Sequence, residues 1–197
     1  QIDILGKDND DDILFWGGSV MFDGIFCTGA GEWMGEGNPR NHLFIRTADN
    51  GKTWEYVSDI NDPPIEAVEK GFEYLGDSTI VFISSVGRGF DGKPRSMVLH
   101  GYSHDLGRTW GKWHDVAGTT GVWDRPRIFT LAHLKGEENW WEDNILIGCG
   151  NNTPQPGVAF PRRNTIWYSA DKGKTWSEPL PVDNYYRDGG YGDLLYN

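Results

Sequence analysis

The sequence predicts an all-β fold built from repeated four-stranded units, and three observations carry that prediction. An eight-residue box of pattern S/T-x-D-x-G-x-T-W occurs three times, as TADNGKTW from Thr47, SHDLGRTW from Ser103 and SADKGKTW from Ser169. Between the boxes run short segments rich in β-branched and aromatic residues, among them STIVFISSV at 78–86, SMVLHGY at 96–102, NILIGCG at 144–150 and NTIWYS at 164–169. Gly, Asn, Asp and Pro punctuate these segments, and little helical periodicity is present.

Each box lies between two strand-like runs, so it reads as a hairpin connection. Its Asp can accept hydrogen bonds from N–H groups of its own turn, and its Gly supplies the positive φ that closes the turn. Trp54, Trp110 and Trp176 end the three boxes, and each offers a large apolar body to bury against a neighbouring unit. The box is therefore expected to be a structural staple without chemistry of its own. The first unit uses LFWGGSVMF, GIFCTGA, HLFIRT and WEYVSD; the second uses GFEYLG, STIVFISSV, SMVLHGYS and WGKWHDV; the third uses PRIFTLAHL, NILIGCG, NTIWYS and WSEPLPV. These give blades at about 13–60, 61–117 and 123–183, with GGYGDLLYN inside a fourth that starts over 184–197.

Repeated four-stranded sheets of this kind point to a β-propeller, whose rings usually close with about four to eight blades. Three blades and one strand do not close a ring, so either the chain is a piece of a longer one or copies self-associate to cover open blade faces. The start at Gln1 rather than Met agrees with a processed form or an excised piece.

Composition narrows the function classes. With 197 residues, 38% of them hydrophobic and 14% aromatic, the chain has ample material for a core. A net charge of −11 disfavours nucleic acid and anionic membrane as partners, so an anionic ligand must be met by local arginines. No apolar run approaches the length of a membrane span, and QIDILGKDNDDD lacks the order of a signal peptide. Cys27 and Cys149 occupy similar strand contexts and read as core thiols rather than a disulfide. The five histidines form no metal-ligand pair: His100 and His104 are four apart, but on a strand and turn rather than one helical face. The acidic run at 8–12 lacks the glycine and distal Glu of a calcium loop and reads as solvated. No cofactor or metal is called for. Trp140, Trp141 and VWDRPR are candidates to line a sugar cleft, with blade-junction packing as the commoner use.

The box resembles the Asp-box, or BNR repeat, of the sialidase (neuraminidase) superfamily and of other propeller proteins, lyases and non-enzymatic binders included. The family is six-bladed, and its members carry three arginines for the substrate carboxylate, a Tyr nucleophile, a Glu that serves as its base and an Asp acid/base. The resemblance implies Glu69, in EKGFEYLG, as the base at the opening of strand A, and Arg88, in FISSVGR, as the second arginine after strand B. It implies Arg163, in PRRNTIWYSADKGKTW, as the third arginine at the entry to strand C, with Arg162 beside it as the alternative. Tyr191, in GGYGDLLY, matches the family's Gly-Tyr-Ser-Asp-Leu, with Gly192 where the family has Ser. RPRIFTL resembles the Arg-Ile-Pro strand of the first arginine and makes Arg127 a candidate, although its place in the third unit conflicts with the order of the others. The first arginine and the acid/base Asp are expected in blades before residue 1.

The chemistry agrees with those residue types. A sialic acid centre carries a carboxylate that repels an anionic nucleophile, so a neutral Tyr suits it, provided that a base such as Glu69 takes the phenolic proton. Arginine forks stay protonated and bind the carboxylate with parallel charge-assisted bonds. The resemblance thus implies a glycoside hydrolase acting on an acidic glycan, secreted, periplasmic or at the cell surface. Two other readings stay open: a propeller polysaccharide lyase, and a non-catalytic carbohydrate- or protein-binding propeller.

Overall fold

The computed structural model describes residues 13–22, 25–32, 42–49, 52–60, 66–88, 97–116, 122–153 and 163–182. They form three four-stranded antiparallel sheets, each a meander in chain order, as expected for the blades of a β-propeller. The first holds β1 (Ile13–Phe22), β2 (Ile25–Glu32), β3 (His42–Thr47) and β4 (Glu55–Asp59). The second holds β5 (Glu66–Tyr74), β6 (Ile80–Arg88), β7 (Met97–Ser103) and β8 (His114–Asp115). The third holds β9 (Val122–Thr130), β10 (Leu146–Thr153), β11 (Arg163–Ser169) and β12 (Leu180–Pro181). The innermost strands pack side by side, β1 against β5 and β5 against β9.

Two of the sequence expectations need correction here. PRIFTLAHL is not all strand, because β9 ends at Thr130 and Leu131–Leu134 turn into a short helix, α1, whose His133 N–H is capped by the Thr130 hydroxyl. Strand A of the second blade starts earlier than GFEYLG, at Glu66, so Glu69 lies within β5 rather than just ahead of it.

Two apolar clusters fill the seams between blades. Phe44 and Ile60 of the first blade meet Phe72, Tyr74, Ile80 and Phe82 of the second. Leu75, Val81, Ile83, Val98 and Val116 of the second meet Ile128, Leu146 and Trp167 of the third. Cys149 is buried.

The boxes fasten these seams. In the third, Ser169 Oγ donates to Asp171 Oδ1 (2.7 Å) and accepts from Gly173 N–H (2.7 Å). Asp171 also accepts from the Thr175 N–H (2.9 Å) and hydroxyl (2.7 Å). Ser103, Asp105, Gly107 and Thr109 repeat the pattern, and Thr47, Asp49 and Thr53 repeat its Asp-centred bonds. Consecutive positive φ values, 58° at Leu106 and 82° at Gly107, then 56° at Lys172 and 88° at Gly173, turn the chain sharply enough to lay the box on the preceding blade. Ser58 of the first blade donates to the Gly107 carbonyl and accepts from Trp110 Nε1 (3.0 Å). Tyr102 of the second donates to the Lys172 carbonyl (2.7 Å), and Lys172 Nζ donates to Leu75 O (3.1 Å). Trp110 stands edge-on to Phe44 and Phe82, both at 5.2 Å. The box tryptophans are half-buried rather than fully buried, and Trp110 and Trp176 each cover a seam from its rim.

A polar pin reinforces the second seam. Glu73 of β5, 1% exposed, accepts from Thr130 N–H and hydroxyl (3.3 Å each) and pairs with His133 Nδ1 at 2.8 Å. Trp140 stacks on the other side of that imidazole at 4.6 Å.

Candidate active site at the bulged rim

In each blade the end of strand B pairs with the starts of strands A and C, so these three termini share one end of the sheet. The boxes, at the C-to-D turns, occupy the opposite end. Arg88, the last residue of β6, pairs with Glu66 at the start of β5. Arg163, the first residue of β11, pairs with Asn152 near the end of β10, and Asn152 pairs in turn with Trp123 of β9. Glu69 lies three residues into β5 from this end. Backbone register thus brings Glu69 and Arg88 of one blade and Arg163 of the next to the same end of neighbouring sheets.

Arg127 stands deeper, opposite Cys149 in the middle of β9. It is half-buried, and its Nη1 donates to the Pro126 carbonyl (3.2 Å). A Cβ built on Gly71 of β5 would sit 3.1 Å from the Arg127 Cα, so this is where the two inner strands touch. Tyr191, Arg162, the acidic run at 8–12 and the start of the fourth unit lie outside the described residues.

Sequence reading missed a regularity of this rim. All three inner strands carry extra residues at the same register. The pairing shifts between Phe15 and Ser19 in β1, between Val68 and Lys70 in β5, and in β9 between Arg127, opposite Cys149, and Asp124, opposite Asn151. Glu69 is the inserted residue of β5, and Arg125 and Pro126 lie inside the shift of β9. Bulges unpair the backbone locally and re-aim a side chain, and they recur beside active sites. The Pro within VWDRPR was the available signal, because proline cannot donate to a sheet ladder and marks a bulge when it falls inside a strand.

The strongly perturbed groups belong to the opposite end and to the seams. Burial, then the neighbouring His114 charge, lowers the His100 pKa to about 4. Burial, then Asp171, raises the Tyr102 phenol to about 12. Both stay neutral near pH 7, which suits packing rather than proton transfer. Among the described residues no group of three or more His, Cys, Asp or Glu could hold a metal ion, and no helix is long and apolar enough to cross a membrane.

No family model and no curated protein matches the chain. Solved structures do share its fold. The Penicillium chrysogenum α-L-arabinanase in complex with arabinobiose has 16% identity and a TM-score of 0.64, over 94% of this chain and 54% of that one. The Fusarium graminearum α-L-arabinofuranosidase with arabinobiose has 15% identity and a TM-score of 0.63, over 88% and 49%. The Streptococcus pneumoniae NanB sialidase has 14% identity and a TM-score of 0.52, over 87% and 23%. The chain thus spans about half the length of the first two and a quarter of the third, and what it shares with all of them is the propeller fold of glycoside hydrolases.

Proposed function

We propose that this chain supplies the catalytic rim of a β-propeller glycoside hydrolase acting on an acidic, sialic-acid-like glycan. The observation that supports this reading is the convergence of Glu69, Arg88 and Arg163 on one end of neighbouring blades, away from the boxes. In this reading Tyr191 is the nucleophile and Glu69 takes its proton, while Arg88 and Arg163 clamp the substrate carboxylate and Arg127 backs them from deeper in the channel. Secretion or cell-surface exposure belongs to the same proposal, as does association with further blades to cover the outer seams.

A second reading, a hydrolase of neutral arabinose-containing glycans, is favoured by the closer structural likeness to the arabinanase and the arabinofuranosidase than to the sialidase. Turnover of a panel of aryl sialosides, arabino-oligosaccharides and uronate polymers separates the readings. Release of free sialic acid, abolished by Glu69→Gln and weakened by Arg88→Ala, supports the first. Release of arabinose moves the assignment to the second, an unsaturated uronate identifies a lyase, and binding without turnover leaves only a carbohydrate-binding propeller.

A further inference from the structure

Each blade receives the next through the strands on either side of its own box, and the repeat fixes which positions do so. In the first blade the cross-strand pair Phe44 and Ser58 meets the second box, where the Ser58 hydroxyl donates to the Gly107 carbonyl and accepts from Trp110 Nε1. Phe44 stands three residues before its own box, and Ser58 stands four after that box's tryptophan. The same spacing in the second blade gives the pair His100 and His114. The His100 ring meets Trp176 of the third box edge-on at 5.8 Å, and Tyr102, one residue before its box, donates to the Lys172 carbonyl (2.7 Å). In the third blade the spacing falls on the pair Ile166 and Leu180 and on Tyr168. Trp167 is buried against the second blade, so strand alternation turns Ile166 and Tyr168 to the opposite face. Tyr168 and Leu180 are each 50% exposed, and Val182 is 56% exposed. The first blade has a counterpart on its own outer side. Tyr56, 41% exposed, pairs with Ile45, the neighbour of Phe44, and so faces away from the second blade. These four are the large apolar side chains exposed among the described residues, and all of them lie on the two end faces.

We propose that the two end faces are halves of one interface: a second copy of this chain seats its first blade on the third blade of the first copy, head to tail, and the pair closes a ring. The element seated is the first box, residues 47–54. It has the Asp-centred turn of the boxes already seated, with Asp49 bonded to Thr47 and Thr53, and the same glycine and tryptophan, Gly51 and Trp54. Tyr168 then donates to a carbonyl of the incoming turn, as Tyr102 does to Lys172, and Trp54 of the copy covers Ile166 and Leu180 as Trp176 covers His100.

A head-to-tail contact leaves one end face open in each copy, and a closed pair uses the contact twice and leaves none. Three blades from each copy give a ring inside the range of about four to eight at which propellers close. One copy spans 54% of the arabinanase chain, so two supply the length of that fold. The proposal names the partner in the association that belongs to the proposed function, and it rests on that part of the reading. It is tested without substrate, so its failure leaves the hydrolase assignment to be decided by turnover.

Sedimentation velocity of the full chain over a concentration series should show a species of twice the mass of one chain that grows no further. Leu180→Asp sets a charge where apolar surface is to be covered and should weaken the pair by about 100-fold or more. Tyr168→Phe removes only the hydroxyl and should weaken it by roughly 5–10-fold. Both side chains are exposed, so each variant should keep the wild-type circular dichroism spectrum, which separates lost pairing from lost folding. Leu180→benzoylphenylalanine, irradiated in the paired state, should cross-link to a peptide that contains residues 47–54 of the other copy. A monomer at every concentration, assembly that grows without limit, a pair that Leu180→Asp leaves intact, or a cross-link to any other segment overturns the proposal.

Discussion

Gly107→Ala and Gly136→Ala form a matched pair that isolates what the box glycine does. Both glycines have positive φ, 82° and 71°, so alanine at either meets the left-handed penalty of about 1–2 kcal/mol, less about 0.4–1 kcal/mol from the stiffer unfolded chain. Their surroundings differ. A Cβ at Gly136 meets nothing within 4 Å, whereas one at Gly107 falls 2.1 Å from Cε1 of Phe44, a fully buried ring of the preceding blade. That ring cannot retreat without opening its seam, which adds an overpacking cost of about 1–3 kcal/mol. At roughly 2–4 °C per kcal/mol for a domain of this size, Gly136→Ala should lower the melting temperature by a few degrees. Gly107→Ala should lower it by about 5–15 °C on the same scale. Calorimetry or circular dichroism melts of the three proteins decide the matter. Equal shifts would refute the claim that the box turn is pressed onto the neighbouring blade.

Four further outcomes are expected. Asp49 and Asp171 are drawn from 3.8 to about 2, first by the Thr53 and Thr175 hydroxyls respectively; a lowered folded pKa means their stabilisation is present above about pH 4 and lost as pH falls toward 2. Acid melts should show that limb, and Asp171→Asn should flatten it. At the second seam burial raises Glu73, and the hydrogen bond that His133 donates to Glu73 raises His133 above 6.5; both signs make the pin strongest in mild acid and weaker as pH climbs past neutrality, a slope that Glu73→Gln should remove in melts across pH 6–9. Trp110→Ala should cost about 3 kcal/mol in urea denaturation, the lower part of the range because the indole is half-buried, and Trp110→Phe about 1 kcal/mol for the lost bond to Ser58. Lys172→Met, which removes the ammonium that bonds Leu75 and Trp141 carbonyls, should destabilise by about 1–3 kcal/mol, and an unchanged urea midpoint would count against that cross-seam role.

Much of the fold was legible because the box is a local device: its Asp, Gly and hydroxyl residues complete their bonds within seven residues, so short-range chemistry repeats in short-range sequence. The inner-strand bulges were harder to read, since an extra residue is defined only against a partner strand. The run GFEYLG leaves Glu69 just ahead of strand A for that reason, although the structure sets it inside β5 as the residue its partner strand does not match. The turn into α1 was hidden in PRIFTLAHL because its cap, Thr130, is also a good strand residue; the switch is decided by Glu73, some 57 positions away. For the site, residue types and their order suggested the rim, but the approach of β5 to β9 at Gly71 and Arg127 depends on how two sheets touch, which no pattern within either strand encodes.

The placement of all fastening at one end has an architectural consequence. The second and third boxes reach back to the blade before them, so each of these blades arrives with its own attachment, and copying one blade copies the means of joining it. Growth of such a ring by duplication therefore needs no matching change in the older blade beyond a ring or hydroxyl already there, as Phe44 and Ser58 supply for the second box. Those bonds use residues of the box end, so the inner-strand bulges at the other end can change blade by blade without touching the joint, one carrying Glu69 and the next Arg125 and Pro126 on an otherwise repeated frame.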